Sequence, residues 1–250
     1  MSNEVLTETR GNVLVITLNR PDAKNSINTD LALGLSAAIE HLDSDPKLAV
    51  GVLTGAGNSF CSGLDLKAFA KEGAPKGLAR FLKTGAKKPL IAAIEGVALA
   101  GGLEVALTCD LLIAAKDACF GIPEARVGLF AAGGALLRLP QRMPYGVAME
   151  LALTGAHINA EEAHAHGLVN RLTEPNSALD EALALAERIA ANAPLSLKAT
   201  KSLMQRALDL PEAEFWSTQL ELVNEVFQSS DAQEGAKAFA QKRAPEWSGT

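Results

Sequence analysis

Two glutamates in this chain of 250 residues stand in apolar context. Glu104 lies in ALAGGLEVALTCD (98–110), and between Pro89 and Asp110 the only charged side chains are Glu95 and Glu104. Glu124 follows twenty positions later in FGIPEARVG (120–128), where Pro123 biases Ile122 toward extended backbone and fixes the chain direction. Burial raises a carboxyl pKa, and two carboxyls that face each other are driven apart, one ionised and one protonated. Such a pair can add or remove water beside a carbonyl. The bland reading of Glu104 is an acidic residue in a first helical turn, interacting with the helix dipole. Spacing does not choose between the two.

The backbone around the glutamates adds a second kind of chemistry. Gly101-Gly102 permits close approach of a ligand and leaves N–H groups free at a helix start, where they can hold a developing oxyanion. FCSGLDL (60–66) contains a comparable turn at Gly63, and the Leu64 N–H could supply the second donor. An ordinary strand-to-helix turn capped by Asp65 accounts for the same residues.

The elements that must position these groups alternate in type. Asn12–Asn19, Leu48–Thr54, Leu90–Ile94 and Leu111–Ala114 read as strands. Helices are expected after Asn28, with Leu31, Leu35, Ile39 and Leu42 on one face, over Leu64–Ala70, and over Gly102–Thr108. Short strands that are apolar throughout indicate an α/β domain with a buried sheet. Beyond Pro140 the pattern becomes almost entirely helical: Tyr145–Leu153, Ala160–His166, Ala178–Asn192, Leu195–Ala207, Glu212–Phe227 and Ala232–Arg243. These late helices carry more apolar surface than one core needs, which suggests packing between subunits.

Composition excludes several classes. The net charge of −6, with no basic stripe, argues against nucleic acid as a partner. The longest apolar window (96–115) is broken by Gly101, Gly102, Glu104 and Asp110, so no membrane span is expected. Cys61, Cys109 and Cys119 form no CxxC pair and read as buried reduced thiols of a cytoplasmic protein. His164 and His166 point apart on a helix, His41 and His157 have no recognisable partner, and no metal site is expected. Ser62 lacks a GxSxG context, and no phosphate loop is present.

Taken together, these motifs resemble the crotonase (enoyl-CoA hydratase/isomerase) superfamily, most of all its enoyl-CoA hydratases, over nearly the whole length. The resemblance is carried by NRPDAKNSIN (19–28), FCSGLDL, KPLIAAIEGVALAGGLEVALTCDLLIAA (88–115), FGIPEARVGL, LTGAHINAEEAHAHGLVNRL (153–172) and EGAKAFAQKRAPEW (234–247). It implies an α/β fold with a spiral ββα catalytic core over 1–192 and a helical oligomerisation region over 193–250. Homotrimers, commonly paired into hexamers, are implied as well. The implied substrate is an acyl-CoA, with coenzyme A part of the substrate, no separate cofactor, and a place in fatty acid or wider lipid metabolism. Glu104 and Glu124 would be the catalytic carboxylates. The N–H groups of Leu64 and Gly101 would form the oxyanion hole.

By motif position, Asp22, Ala23 and Lys24 fall where the family wraps the adenine of CoA. Ser62, Asp65, Leu66 and Lys67 fall around the first oxyanion turn, with Lys67 toward the CoA phosphates. Phe239 and Lys242 fall where a neighbouring subunit's CoA is reached. A solvated lysine and an apolar helix face are the plain alternatives for the last three. One departure concerns Ala131-Ala132: Ala132 falls where a glycine often offers its N–H to the catalytic water, and its methyl would shift that water. The implied reaction is reversible syn hydration of a trans-2-enoyl-CoA to a 3-hydroxyacyl-CoA. Double-bond isomerisation, dehydration of another hydroxyacyl-CoA and non-catalytic acyl-CoA binding are the rivals.

Overall fold

The computed structural model describes residues 3–250. The chain opens with an antiparallel hairpin, β1 (Val5–Arg10) and β2 (Val13–Leu18), and a short 3-10 turn at Pro21–Ala23. Next come α1 (Thr29–Ser44), β3 (Val50–Gly55), α2 (Leu66–Glu72) and α3 (Ala79–Thr84). The Asn28 side chain caps α1 by accepting from the Leu31 N–H at 2.9 Å. β4 (Leu90–Ile94) and β5 (Val97–Leu99) lead into α4 (Gly101–Thr108), β6 (Leu111–Ala115), β7 (Cys119–Gly121) and a second 3-10 turn at Pro123–Val127. The remainder is α5 (Ala135–Arg142), α6 (Tyr145–Thr154), β8 (His157–Asn159), α7 (Ala160–Ala165), β9 (Arg171–Thr173), and helices α8 (Ala178–Ala190), α9 (Pro194–Arg206), α10 (Glu212–Phe227) and α11 (Ser230–Gln241).

Six strands form one sheet in the order β1-β2-β3-β4-β6-β9, parallel apart from the first pair. Three form a smaller sheet, β5-β7-β8. The inner strands β2, β3, β4 and β6 of the large sheet are apolar on both sides because both sides are covered. Leu14, Ile16, Leu53, Ala92, Ile94 and Leu112 face the main core, together with α1 and α4. Val13, Val50, Val52, Ile91, Ala93 and Ile113 face a second core closed by Ala178, Ala182 and Ala186 of α8. The alternation along each strand follows from successive side chains pointing to opposite faces. At the end of the core, Lys201 ties α9 down: its ammonium donates to Asp110 Oδ2 at 2.7 Å and to the Lys88 carbonyl at 2.8 Å.

Three sequence expectations need correction. The region beyond Pro140 is not purely helical, since β8 and β9 lie within it. Pro140 itself sits inside α5, tolerated because the helix runs only two residues past it and few backbone bonds are at stake. A strand over Val5–Arg10 was not expected from a segment with Glu8 and Arg10; it is an edge strand whose side chains are mostly exposed.

Candidate active site

Four separate segments converge. The loop at 20–26 is fastened by Asn25, which is fully buried: its Oδ1 accepts from the Arg20 N–H at 2.8 Å, and its Nδ2 donates to the Ala56 and Ser59 carbonyls at 3.0 and 2.7 Å. From this loop Ile27 pairs with Leu64, its N–H donating to Gly63 O at 2.7 Å and its carbonyl accepting from Asp65 N–H at 3.0 Å. Ser62 N–H donates to the Lys24 carbonyl, at 3.0 Å. Cys61 in turn pairs with Ala98, which seats the third segment, and the Ala100 N–H donates to Gly121 O at 2.9 Å, which seats the fourth.

This pairing determines which amides are free. Gly63 O and Asp65 N–H both turn toward Ile27, so the Leu64 N–H between them turns the other way. Gly101 is the first residue of α4, where a helix leaves its N–H groups without internal acceptors. Among the described residues, neither the Leu64 nor the Gly101 N–H meets an acceptor. The two are neighbours: a Cβ on Gly101 would stand 3.7 Å from Leu64 N. Gly63, at φ +97°, keeps the spot open, because a Cβ there would meet Ala100 Cβ at 2.7 Å, Leu99 O at 2.9 Å and Gly101 N at 3.2 Å. Ala100 holds φ +49° and ψ −129°, a conformation an L-residue adopts only under strain.

Glu104, one turn into α4, is 5% exposed. Its Oε1 accepts from the Gly133 N–H at 2.6 Å and the Ala135 N–H at 3.2 Å. Burial raises its pKa, partly offset by those N–H groups and by the charge on Arg138. Glu124, in the turn after β7, is half-buried, and no protein donor among the described residues reaches its buried Oε2. Burial raises its pKa too, its own backbone N–H lowers it, and the negative charge on Glu104 raises it further. Glu104 thus lies within electrostatic range of Glu124, and the two carboxyls have unlike surroundings: one accepts from the Gly133 and Ala135 N–H groups, the other has a buried oxygen without a donor.

Two cavities flank the pair. One of about 460 Å³ has Glu124 in its wall and is otherwise almost wholly apolar, with Ile122, Leu129, Phe130, Leu136 and Met149 among its lining. The larger, about 570 Å³, is polar and lies by Arg138, Arg142 and Arg206; it touches neither glutamate, so size is no guide to the chemistry here. Leu64 and Gly101 line neither cavity.

The remaining sequence candidates are distributed unevenly. Asp22 and Ala23 lie in the first 3-10 turn, and Lys24 closes it at φ +48° beside Ser62. Asp65 is engaged within the chain through both oxygens: Oδ1 caps α2 by accepting from Lys67 N–H and Ala68 N–H, and Oδ2 meets Arg20 at 3.0 Å. The Ala68 N–H, followed by Arg20, holds its carboxyl below the usual range. Leu66 and Lys67 are exposed at the start of α2. Phe239, 88% exposed, and Lys242 sit at the far end of α11, which packs on α10. Ala132 is exposed; the amide that reaches Glu104 belongs to Gly133. That donor and Arg138 are residues sequence reasoning missed, and the Gly133-Gly134 pair was the available signal. Among the described residues no group of three or more His, Cys, Asp or Glu could hold a metal ion, and His164 Nδ1 is occupied by the Val169 carbonyl at 2.8 Å. Among the described residues, no helix is long and apolar enough to cross a membrane.

Comparison with known proteins identifies the family and the fold. A family model described as enoyl-CoA hydratase/isomerase matches residues 8–250. Enoyl-CoA hydratase EchA19 of Mycobacterium tuberculosis is 40% identical, over 97% of this chain and 95% of its own. Carnitinyl-CoA dehydratase of Proteus mirabilis is 39% identical over the full length of both. The crystal structure of enoyl-CoA hydratase EchA1 from Mycobacterium marinum superposes with a TM-score of 0.95, at 52% identity and complete coverage of both chains.

Proposed function

This chain belongs to the enoyl-CoA hydratase/isomerase family and has its crotonase fold, and from that premise we propose that it catalyses reversible syn addition of water across the 2,3 double bond of a trans-2-enoyl-CoA. The observation that carries the reading is the unequal surroundings of two glutamates within range of each other's charge, together with the unoccupied Leu64 and Gly101 amides. The Leu64 and Gly101 N–H groups receive the thioester carbonyl and stabilise negative charge on its oxygen, which draws electron density from Cβ; one such donor is worth about 3–4 kcal/mol. Glu104, with N–H donors favouring its anion, is the base that takes a proton from the attacking water as the oxygen bonds to Cβ. Glu124, whose Oε2 lacks a donor and which feels Glu104's charge, holds its proton longer and delivers it to Cα. Proton exchange through solvent then restores both groups.

The names of the relatives above, hydratase and dehydratase, describe the two directions of such a reaction, and this supports hydration over isomerisation. The apolar cavity at Glu124 supports a hydrocarbon acyl group. Coenzyme A enters and leaves as part of the substrate, so the scheme uses no separate cofactor, and it places the enzyme in cytoplasmic fatty acid or lipid metabolism. A homotrimer or pair of trimers is the assembly we favour, supported by exposed apolar side chains on the late helices, among them Met204, Trp216, Leu220 and Phe227. Residues 193–250 would form that oligomerisation region, and Phe239 and Lys242 would reach the CoA of a neighbouring subunit, while Lys24 and Lys67 attend the CoA of their own. The test is crotonyl-CoA hydration followed by loss of the conjugated thioester absorbance. Glu104→Gln and Glu124→Gln each lose about 10²–10⁴-fold in kcat and still bind acyl-CoA. A fully active Glu104→Gln enzyme refutes the assignment.

A further inference from the structure

The amide that holds Glu104 is itself held. Gly133 lies in the loop between the second 3-10 turn and α5, a stretch with little else to fix it. Arg138, one turn into α5, reaches back across this loop. Its Nη2 donates to the Leu82 carbonyl at 2.5 Å and lies 3.5 Å from that of Lys83, both in the last turn of α3. Its Nη1 lies 3.4 Å from the Gly133 carbonyl. The guanidinium thus spans two elements, and the peptide it grips on one side offers its N–H to Glu104 Oε1 on the other. Arg138 makes no direct contact with Glu104; no ion pair joins them among the described residues. Space is tight throughout: a Cβ on Gly133 would collide with Glu104 Oε2, and one on Gly134 with Arg138 Nη1.

We propose that Arg138 is a positioning residue for the reaction: its planar fork straps the 131–134 loop to the end of α3, keeping the Gly133 N–H on Glu104 and a positive charge behind that carboxylate. The fork geometry matters because one guanidinium can serve two carbonyls at once, whereas an ammonium is a point donor on a shorter reach. The titratable and charged groups around the pair are Glu124 from the turn after β7, Cys109 and Asp110 at the end of α4, and Lys83 and Arg142 beside Arg138 in the polar cavity. Cys109 is pushed up to about 12 by burial and stays neutral through the working range, so it does not titrate with Glu104.

The proposal rests on Glu104 being the base, and the experiment separates the two ideas. Arg138→Lys and Arg138→Gln are compared with the unaltered enzyme for kcat, KM and the pH profile of kcat/KM on crotonyl-CoA. Arg138's charge lowers the Glu104 pKa, so removing it raises that pKa, and the ascending limb that reports ionised base moves to higher pH. Arg138→Gln should lose about 10–100-fold in kcat, with KM little changed and the limb displaced to higher pH. Arg138→Lys should lose kcat through the broken strap, and its limb should move up less than that of Arg138→Gln, because the charge is kept while the Gly133 N–H is loosened. Should the glutamine variant fail to fold, the lysine variant alone decides, since a lowered kcat with KM little changed is required of it. Wild-type kcat in Arg138→Lys, or an unmoved limb in a folded Arg138→Gln, overturns the proposal. Full activity of Glu104→Gln would instead overturn the assignment of the base.

Discussion

Replacing Gly63 by alanine tests the oxyanion geometry by adding a single methyl. The new Cβ would stand 2.7 Å from Ala100 Cβ, 2.9 Å from Leu99 O and 3.2 Å from Gly101 N, at a backbone φ of +97°. Holding an L-residue there costs about 1–3 kcal/mol. Forcing the methyl into packed surroundings adds about 1–3 kcal/mol. The sum, about 2–6 kcal/mol, is a sizeable part of a typical stability of about 5–15 kcal/mol. Since the methyl crowds the Gly101 N–H, kcat should also fall about 10²–10³-fold, as when one oxyanion donor is removed. Ala100→Gly separates the two effects. By itself it removes strain at φ +49°, about 1–3 kcal/mol less the ~0.4–1 kcal/mol of extra freedom in the unfolded chain. A gain of about 1 kcal/mol raises Tm by about 2–4 °C in a protein of this size. In the Gly63→Ala background the same change deletes the nearest collision, so the double variant should be more stable than the sum of the single effects allows. Its kcat should remain low, because Leu99 O and Gly101 N still crowd the methyl. Urea unfolding and crotonyl-CoA hydration measure both quantities. A Gly63→Ala enzyme with unchanged kcat and unchanged Tm would refute the reasoning.

Three further outcomes are expected. Glu124 has its pKa raised by burial, so the native protein holds that proton more tightly than the unfolded chain, and ionised Glu124 costs stability as pH rises above the ordinary carboxylate range. Urea midpoints should therefore show Glu124→Gln more stable than the parent at pH 8, with the difference closing by pH 4; an equal difference at both would contradict this. Light scattering should give three or six chains per particle, and a Phe227→Glu variant, placing a charge at a 75% exposed phenylalanine, should shift it toward single chains. A monomer at micromolar concentration would count against the assembly.

The parts of the fold visible in the sequence are those with many repeats of a period. α1, α10 and α11 each present three or more turns of periodic apolar residues, and β2, β3, β4 and β6 are continuous β-branched or aliphatic runs. β5, β7, β8 and β9 were missed because three residues are too few to show an alternation; they exist through their partners. The glutamates were visible because a carboxylate in an apolar run is conspicuous, and the amides because glycine pairs mark a close approach. Ala132 was singled out for an N–H offered to the catalytic water, whereas the amides that reach Glu104, those of Gly133 and Ala135, were not anticipated, since the direction of an N–H depends on backbone torsions that residue identity does not specify. Arg138 was invisible for a related reason: its partners, Leu82 O, Lys83 O and Gly133 O, are carbonyls, which every residue possesses.

The order in which the sheet is completed has a consequence for the growing chain. The reacting groups, with the Gly133 and Arg138 that hold Glu104, lie between residues 64 and 138, yet the ladder is finished only by β9 and the reverse face is covered only by α8. A nascent or nicked chain ending near 140 would carry the whole reacting centre and still present Val13, Val50, Val52, Ile91 and Ile113 to water. Such a fragment offers a bare aliphatic sheet to its neighbours and should precipitate or be taken up by chaperones. Competence arrives late in synthesis, with a helix that touches none of the reacting groups.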